Sequence, residues 1–282
     1  MTHFFKYQAL GNDFILCDQI TLPEQLIGDQ RWICTVKKIC DRHQGVGADG
    51  ILLIDPATLA SAPKVYVFNA DGSYGQFSGN GVRCAAMHLM RHHHYPQNFV
   101  MQMGERQIAA ELLQQKGNSA SIATALPSGV YHGVESAVIS AGTFSGHLVD
   151  VGNPHLIFFQ PVERAWLVAH GKELEYYKGP GQATNVEFVW RNDILTQELR
   201  MLVVDLLVFE RGVGITMACS SGAAAITWLL HARGEIVAGQ HIGVHMLGGM
   251  VEGWVDEAEQ IHLAAEAEYV FEGDLALNLF FP

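Results

Sequence analysis

The chain has 282 residues, of which 49% are hydrophobic and 16% charged. That is enough apolar material for one large or two medium cores and too much for a disordered chain. The formal net charge of −12, with only 17 Lys plus Arg, leaves no broad basic surface for nucleic acid or an anionic membrane.

No apolar run is long enough to span a bilayer, and the opening MTHFFKYQALGNDF lacks a signal-peptide core. The expectation is therefore a soluble, cytoplasmic protein. Five cysteines (Cys17, Cys34, Cys40, Cys84 and Cys219) form no CxxC pair, so neither a disulfide framework nor a zinc site is indicated.

In chain order, the first signal is Gly11-Asn12, a turn dipeptide in an apolar setting. A helix is predicted over about 26–40. Gly45 to Gly50 then matches GxGxxG by spacing, but a helix-like segment precedes it and the apolar strand Ile51–Ile54 follows. The dinucleotide fingerprint needs the reverse context, so this is read as a glycine-rich turn. A β-rich run, Val65 to Phe68, ends at Asn69. Ser78-Gly79-Asn80-Gly81 follows, opening a small-residue helix predicted over 82–93. Ser78 is not a hydrolase nucleophile by motif, because Gln76 to Asn80 lacks the G-x-S-x-G elbow. The run His92-His93-His94 is read as a solvated helix end: adjacent residues do not share a helix face, and Arg91 opposes a cation.

A hairpin is predicted next, pairing 99–103 with 121–125, with Gly104 as turn residue. The second half opens at Gly152-Asn153. Its β-rich run, Val203 to Phe209, ends at Glu210. Cys219-Ser220-Ser221-Gly222 follows, then a helix over 223–231. A second hairpin pairs 242–246 with 260–264 around Gly248-Gly249.

These features repeat. Asn12 and Asn153, Asn69 and Glu210, and Ser78 and Cys219 are each separated by 141 residues, in a chain twice that length. Three matches at one offset argue for a duplicated unit. The predicted fold class is α+β, with two pseudo-symmetric domains in which strands surround a helix. Gly117-Asn118-Ser119 is the best boundary, giving halves of 1–117 plus about 268–282 and 118–267.

The two helices begin at the turns carrying Ser78 and Cys219. A helix N-terminus offers free N–H groups and partial positive charge, which suits a carboxylate. Two such termini serving one substrate would stabilise charge delocalised into its carboxylate when the neighbouring carbon loses a proton. Cysteine suits the proton transfer, because its pKa falls at a helix N-terminus. Isolated, the same residues would be helix caps beside a core cysteine; the repeat favours the functional reading.

Longer stretches sharpen it: GNDFILCD (11–18), ICDRHQGVGADGILLI (39–54), FNADGS with GNGVRC (68–84), VGNPH (151–155), TNVEF (184–188), and FERGVG with AC (209–219). Over nearly its whole length the chain resembles the diaminopimelate epimerase family. The resemblance implies two curled sheets or barrels, each around a central helix, with the active site in the cleft between domains. It also implies interconversion of LL- and meso-diaminopimelate in lysine and cell-wall precursor synthesis, without pyridoxal phosphate, metal or any other cofactor.

By that resemblance Cys219 is one acid/base. Gly79, Asn80, Ser220 and Ser221 hold the reacting carboxylate. Asn12, Asn69, Asn153, Asn185, Glu210 and Arg211 contact the substrate, with Arg211 a bidentate partner for its distant carboxylate. His155 and Glu210 assist proton movement. Read without the resemblance, the asparagines are turn formers and His155 a satisfied buried histidine. The implied partner is a small amino-acid substrate, with a homodimer plausible.

Three positions depart from the family pattern. Ser78 stands where the family has its first catalytic cysteine, Ile215 where it usually has Glu, and Ser220 where it usually has Gly. A serine hydroxyl is a far weaker acid than a thiol, so chemistry starting on the Ser78 face should suffer most. Ser220 would be strained if its position required φ > 0. Three readings stay open. One is an epimerase of diaminopimelate impaired or trapped at Ser78. Another is a racemase, epimerase or eliminating lyase for another amino acid. The last is a non-catalytic amino-acid-binding protein on this scaffold.

Overall fold

The computed structural model describes residues 2–21 and 23–275. The chain divides into two compact units, Met1–Thr124 with Ala265–Pro282, and Ala125–Ala264. Residues 276–282, assigned from sequence to the N-terminal half, lie outside the described residues.

In unit 1, β1 (Thr2–Ala9) and β2 (Asn12–Cys17) form a hairpin. Its two loop residues, Leu10 (φ 54°) and Gly11 (φ 79°), are both left-handed, the backbone that matches the twist of tightly joined strands. β2 lies parallel to β3 (Gly50–Ile54), and β3 antiparallel to β4 (Lys64–Asn69). β4 pairs with the short β5 (Tyr74–Gly75) and runs parallel to β6 (Asn98–Met103). From β6 the sheet continues antiparallel through β7 (Arg106–Lys116) to β8 (Ser119–Leu126). β17 (Ile261–Leu275) pairs with both β8 and β1 and so closes an eight-stranded barrel.

The central helix α2 (Gly79–His92) is buried at every position from Gly79 to Leu89. Small side chains such as Ala85 and Ala86 let it pack against Leu16, Leu52, Val67 and Ile108 of the strands, as a helix enclosed on all sides must. A second helix, α1 (Gln30–Cys40), packs Trp32, Val36 and Ile39 against Ile15, Ile51 and Phe68.

Unit 2 repeats this order. β9 (Val130–Ile139) pairs with β10 (Gly142–Asp150), β10 with β11 (Pro154–Phe158), and β11 runs parallel to β12 (Asn185–Arg191). β12 is antiparallel to β13 (Leu202–Glu210), which carries the short β14 (Gly214–Ile215) and lies parallel to β15 (Ile242–Met246). β16 (Gly249–Val255) follows, paired on its other side with the start of β17. Helices α3 (Arg164–Glu175) and α4 (Asp193–Leu199) lie between strands, and α5 (Ser220–Ala232) is buried from Gly222 to Leu230. The 141-residue offset survives in the pairing itself: Phe68 opposes Tyr74, and Phe209 opposes Ile215. The fold is thus α+β, with a curled sheet and a buried helix in each unit.

Several sequence expectations shift. The first helix starts at Gln30 rather than near 26, because Asp29 caps it by accepting from Trp32 N–H (2.8 Å). The two central helices start three residues earlier than expected, because Ser78 and Cys219 are themselves the N-caps. Neither predicted hairpin has the expected second strand. β6 pairs with β7 and β15 with β16, while 121–125 lie in β8 and the second expected strand, from Ile261 on, lies in β17. RQIAAELLQQK has a helix-like composition and GMVEGWV two glycines, so neither segment announced itself as a strand.

Candidate active site

The start of α5 collects most of the chemistry in unit 2. Cys219 is 4% exposed with extended backbone, and its Sγ accepts a hydrogen bond from Gly222 N–H (3.3 Å). The Ser221 hydroxyl lies 3.4 Å from the same sulfur, and Cys219 N–H donates to Met246 Sδ (3.3 Å). Burial pushes the Cys219 thiol well above its ordinary value, and the carboxyl groups of Glu210 and Glu187 push it the same way; the Ser221 and Gly222 donors oppose them. Helix-terminus activation of the thiol is therefore outweighed, and Cys219 carries its proton at neutral pH. This corrects the expectation from sequence, which weighed the terminus without the burial.

Two acids surround that thiol. Glu210, at the end of β13, accepts from the Thr216 hydroxyl. Burial raises its pKa, and the Thr216 and Cys219 hydrogen bonds act in the opposite sense. Glu187, in β12, is wholly buried, and its Oε1 lies 2.6 Å from Nδ1 of the equally buried His155 of β11. Burial likewise raises Glu187, against the pull of His155. The parallel register that sets His155 opposite Asn185 brings these two strands together. A Cβ at Gly222 would stand 3.2 Å from Glu187 Oε1 and 3.4 Å from Cys219 Sγ, so the acid lies directly behind the first turn of α5.

The amide residues take defined places. Asn153 donates from Nδ2 to Ser221 Oγ (3.4 Å). Asn185 donates to Pro154 O (3.2 Å) and accepts from Arg211 N–H (3.0 Å), so it holds the turn that presents Arg211. The Arg211 side chain is exposed, and no carboxylate among the described residues forms an ion pair with it. Ser220 is the first residue of α5, with helical backbone, so its replacement of glycine brings no strain. Ile215 packs with Phe209 and Phe188 in the apolar cluster of unit 2, a role that accounts for an apolar residue there.

Unit 1 carries the matching cap. Ser78 Oγ accepts from Gly81 N–H (3.0 Å), and Ser78 N–H donates to Met103 Sδ (3.4 Å). Both caps thus share the same two contacts, one helix N–H and one methionine sulfur. Gly79 and Asn80 are buried in the first turn, and Asn80 Oδ1 accepts from the buried Arg83 (3.0 Å). Asn69 donates to Ser73 Oγ (2.9 Å) at the tip of β4. Asn12 donates to Asp49 Oδ2 (2.9 Å), inside a charged lattice where Lys6 and Arg42 both bind Asp13. Burial works to raise the Asp13 carboxyl, but the Arg42 and Lys6 hydrogen bonds outweigh it and hold it far below the usual range. The Gly45–Gly50 stretch leads into β3 as part of this lattice, with Lys6 Nζ donating to Gly47 O.

The chain as a whole resembles known proteins. The family model described as "Diaminopimelate epimerase" matches residues 4–124 and 147–270. The chain belongs to the diaminopimelate epimerase family. A diaminopimelate epimerase of Elusimicrobium minutum is 32% identical over 285 residues, covering 96% of this chain and 98% of that protein. One from Prochlorococcus marinus is also 32% identical, covering 98% and 93%. The fold is shared more widely. A probable proline racemase of Agrobacterium radiobacter, solved with bound carbonate, superposes with a TM-score of 0.74 at 14% identity, covering 100% of this chain and 95% of that one. A hydroxyproline epimerase of Agrobacterium vitis gives 0.74 at 15% identity, covering 98% and 91%. Family membership makes the chain an isomerase by descent. Among the described residues no helix is long and apolar enough to cross a membrane.

Sequence reasoning missed Glu187, Thr216 and the two methionines. Glu187 had a visible signal, a lone acid within the otherwise apolar run VEFVW, since acids are seldom buried without a partner. The methionine contacts had none.

Proposed function

We propose that this protein inverts an α-carbon of diaminopimelate, interconverting the LL and meso forms by proton transfer, with Cys219 as the acid/base of unit 2. The observation that carries the reading is the Cys219 thiol at the N-cap of α5, held protonated beside Glu210 and the Glu187–His155 pair. A buried thiol with its proton is set up to deliver it to a carbanion. In the opposite direction the α-C–H bond breaks toward the sulfur once the thiol proton has passed to a neighbouring carboxylate; Glu210, in hydrogen-bond contact, is the acceptor. The electron pair left on carbon is delocalised into the substrate carboxylate, which the first-turn N–H groups of the helix stabilise. Arg211, exposed and without an ion-pair partner among the described residues, takes the distant carboxylate.

Ser78 is the second group of the reaction in this reading. Its hydroxyl caps α2 as Cys219 caps α5 but is a poor base, so inversion starting on its face is slow. Exchange of the α-proton through Cys219 can outrun completed inversion. The test is proton NMR in D₂O with LL- and meso-diaminopimelate, running the protein beside Ser78→Cys and Cys219→Ala. Exchange by the present chain, faster inversion by Ser78→Cys and no exchange by Cys219→Ala support the reading. Absence of α-proton exchange in both the protein and Ser78→Cys overturns it, in favour of another amino-acid substrate or a binding function.

A further inference from the structure

A different cluster sits in unit 1 at the other end of α2. Asp18 follows β2 directly, His88 lies on the buried face of α2, and His93 is the residue that ends that helix. Asp18 Oδ2 is 3.0 Å from His88 Nε2 and 2.8 Å from His93 Nε2, and one ligand atom of each residue lies within 4.8 Å of the others. His88 is fully buried and the Asp18 carboxyl is 9% exposed. Its second oxygen, Oδ1, has no hydrogen-bond partner among the described residues, although it is shielded from water.

The geometry points to a divalent-cation site of the zinc class, with Asp18, His88 and His93 as its three protein ligands. Two imidazoles with one carboxylate suit a borderline ion and disfavour Ca²⁺ or Mg²⁺, which prefer all-oxygen shells. Metal bonds of about 2.0–2.2 Å leave neighbouring ligand atoms about 3–3.5 Å apart. The present 2.8 and 3.0 Å contacts would open by only a few tenths of an ångström. Tyr7 supplies the outer partner: its hydroxyl lies 3.2 Å from His88 Nδ1. When Nε2 binds the ion, the Nδ1–H tautomer of His88 donates to Tyr7 Oη, the outer hydrogen bond such ligands usually make.

His93 reaches the site because the backbone leaves the helix there (φ −115°, ψ 9°), so residues five apart converge where a regular helix would separate them. The adjacent Arg91 directs its guanidinium to Asn118 Oδ1 and the Tyr269 ring. The ion would clip strand β2 to the central helix of unit 1. The histidine run dismissed from its sequence thus contributes one member, His93, while its other two ligands come from elsewhere in the chain. This inference does not depend on the epimerase reading.

The probe is Zn²⁺ titrated calorimetrically into chelator-treated full-length protein, with Co²⁺ absorption as a second readout. Expected are one ion per chain, a four-coordinate Co²⁺ spectrum, and a Tm that rises with zinc. Asp18→Asn and His93→Gln should each weaken binding at least about tenfold, while His94→Gln, at the exposed neighbour, leaves it unchanged. Should Asp18→Asn fail to fold, His93→Gln at its partly exposed helix end carries the test. Lack of saturable binding overturns the inference. So does binding that survives in His93→Gln but is lost in His94→Gln, which marks a surface histidine complex.

Discussion

Glu187 offers the sharpest test of how the Cys219 site is built. Its carboxyl is wholly buried, lies 2.6 Å from His155 Nδ1, and backs onto the first turn of α5. Glu187→Ala leaves a cavity and a buried imidazole without its partner, and a buried polar group left unsatisfied costs about 1–3 kcal/mol before the cavity is added. Glu187→Gln keeps the shape and one acceptor, so its cost should be near that of a single hydrogen bond, about 1 kcal/mol. Against a total stability of about 5–15 kcal/mol, the two substitutions are easily separated by urea unfolding.

The pH dependence supplies a second, independent reading. Burial raises the Glu187 carboxyl above its ordinary 4.5, so over the interval above that value the folded state holds a proton that the unfolded state has lost. Stability from this group is therefore full below the unfolded pKa and declines as pH rises through the folded one. Glu187→Gln lacks that titration. The stability of the unsubstituted chain relative to Glu187→Gln should shrink as pH is raised from about 5 to 8. A difference that is constant or widens with pH would refute the buried-acid account. So would a Glu187→Ala cost below about 1 kcal/mol, which would show that neither the lost hydrogen bond nor the cavity weighs on the fold.

Further tests probe the same arrangement. Gly222→Ala places a methyl 3.2 Å from Glu187 Oε1 and 3.4 Å from Cys219 Sγ; a displaced thiol should lower α-proton exchange by about tenfold or more while the urea midpoint moves little. Cys34 is exposed and Cys219 buried with a raised pKa, so iodoacetamide at neutral pH should label Cys34 first by mass spectrometry. Gly171→Ala would drive a methyl into the Phe209 ring and should cost about 1–3 kcal/mol by overpacking, weakening the strand end that carries Glu210. Ser78→Ala removes the α2 cap and should cost about 1 kcal/mol, whereas Ser78→Cys should cost less because a sulfur already fills that role at Cys219.

What could be read from the sequence was the repeat and its caps. Asn12 and Asn153, or Ser78 and Cys219, are local features whose spacing survives folding, because each sits at a strand end or helix start fixed by its own neighbours. The strands β7 and β16 were hidden because their residues favour helix or turn locally, and only pairing on both sides makes them strands. The ionisation of Cys219 was hidden for a related reason. A helix terminus is visible in a sequence, but its burial and the approach of Glu187 from a distant strand are not. The Asp18–His88–His93 cluster combines residues 70 and 75 positions apart, which no local pattern reports.

The matched caps also explain how a serine can occupy Ser78 without disturbing the fold. At each helix start the cap must accept one N–H three residues on while its own N–H meets a methionine sulfur. A hydroxyl and a thiol both satisfy that demand, so packing and capping place little constraint on which atom stands there. Proton transfer does distinguish them, because a hydroxyl holds its proton far more tightly than a thiol. The position is therefore one where structural and chemical requirements come apart. Ser78→Cys should therefore leave the unfolding free energy within about 0.5 kcal/mol of the unsubstituted chain, the usual range for a substitution that breaks no structural feature. Its effect should appear instead in the rate of inversion. A large stability change without a change in inversion would reverse the assignment and make Ser78 a structural cap alone.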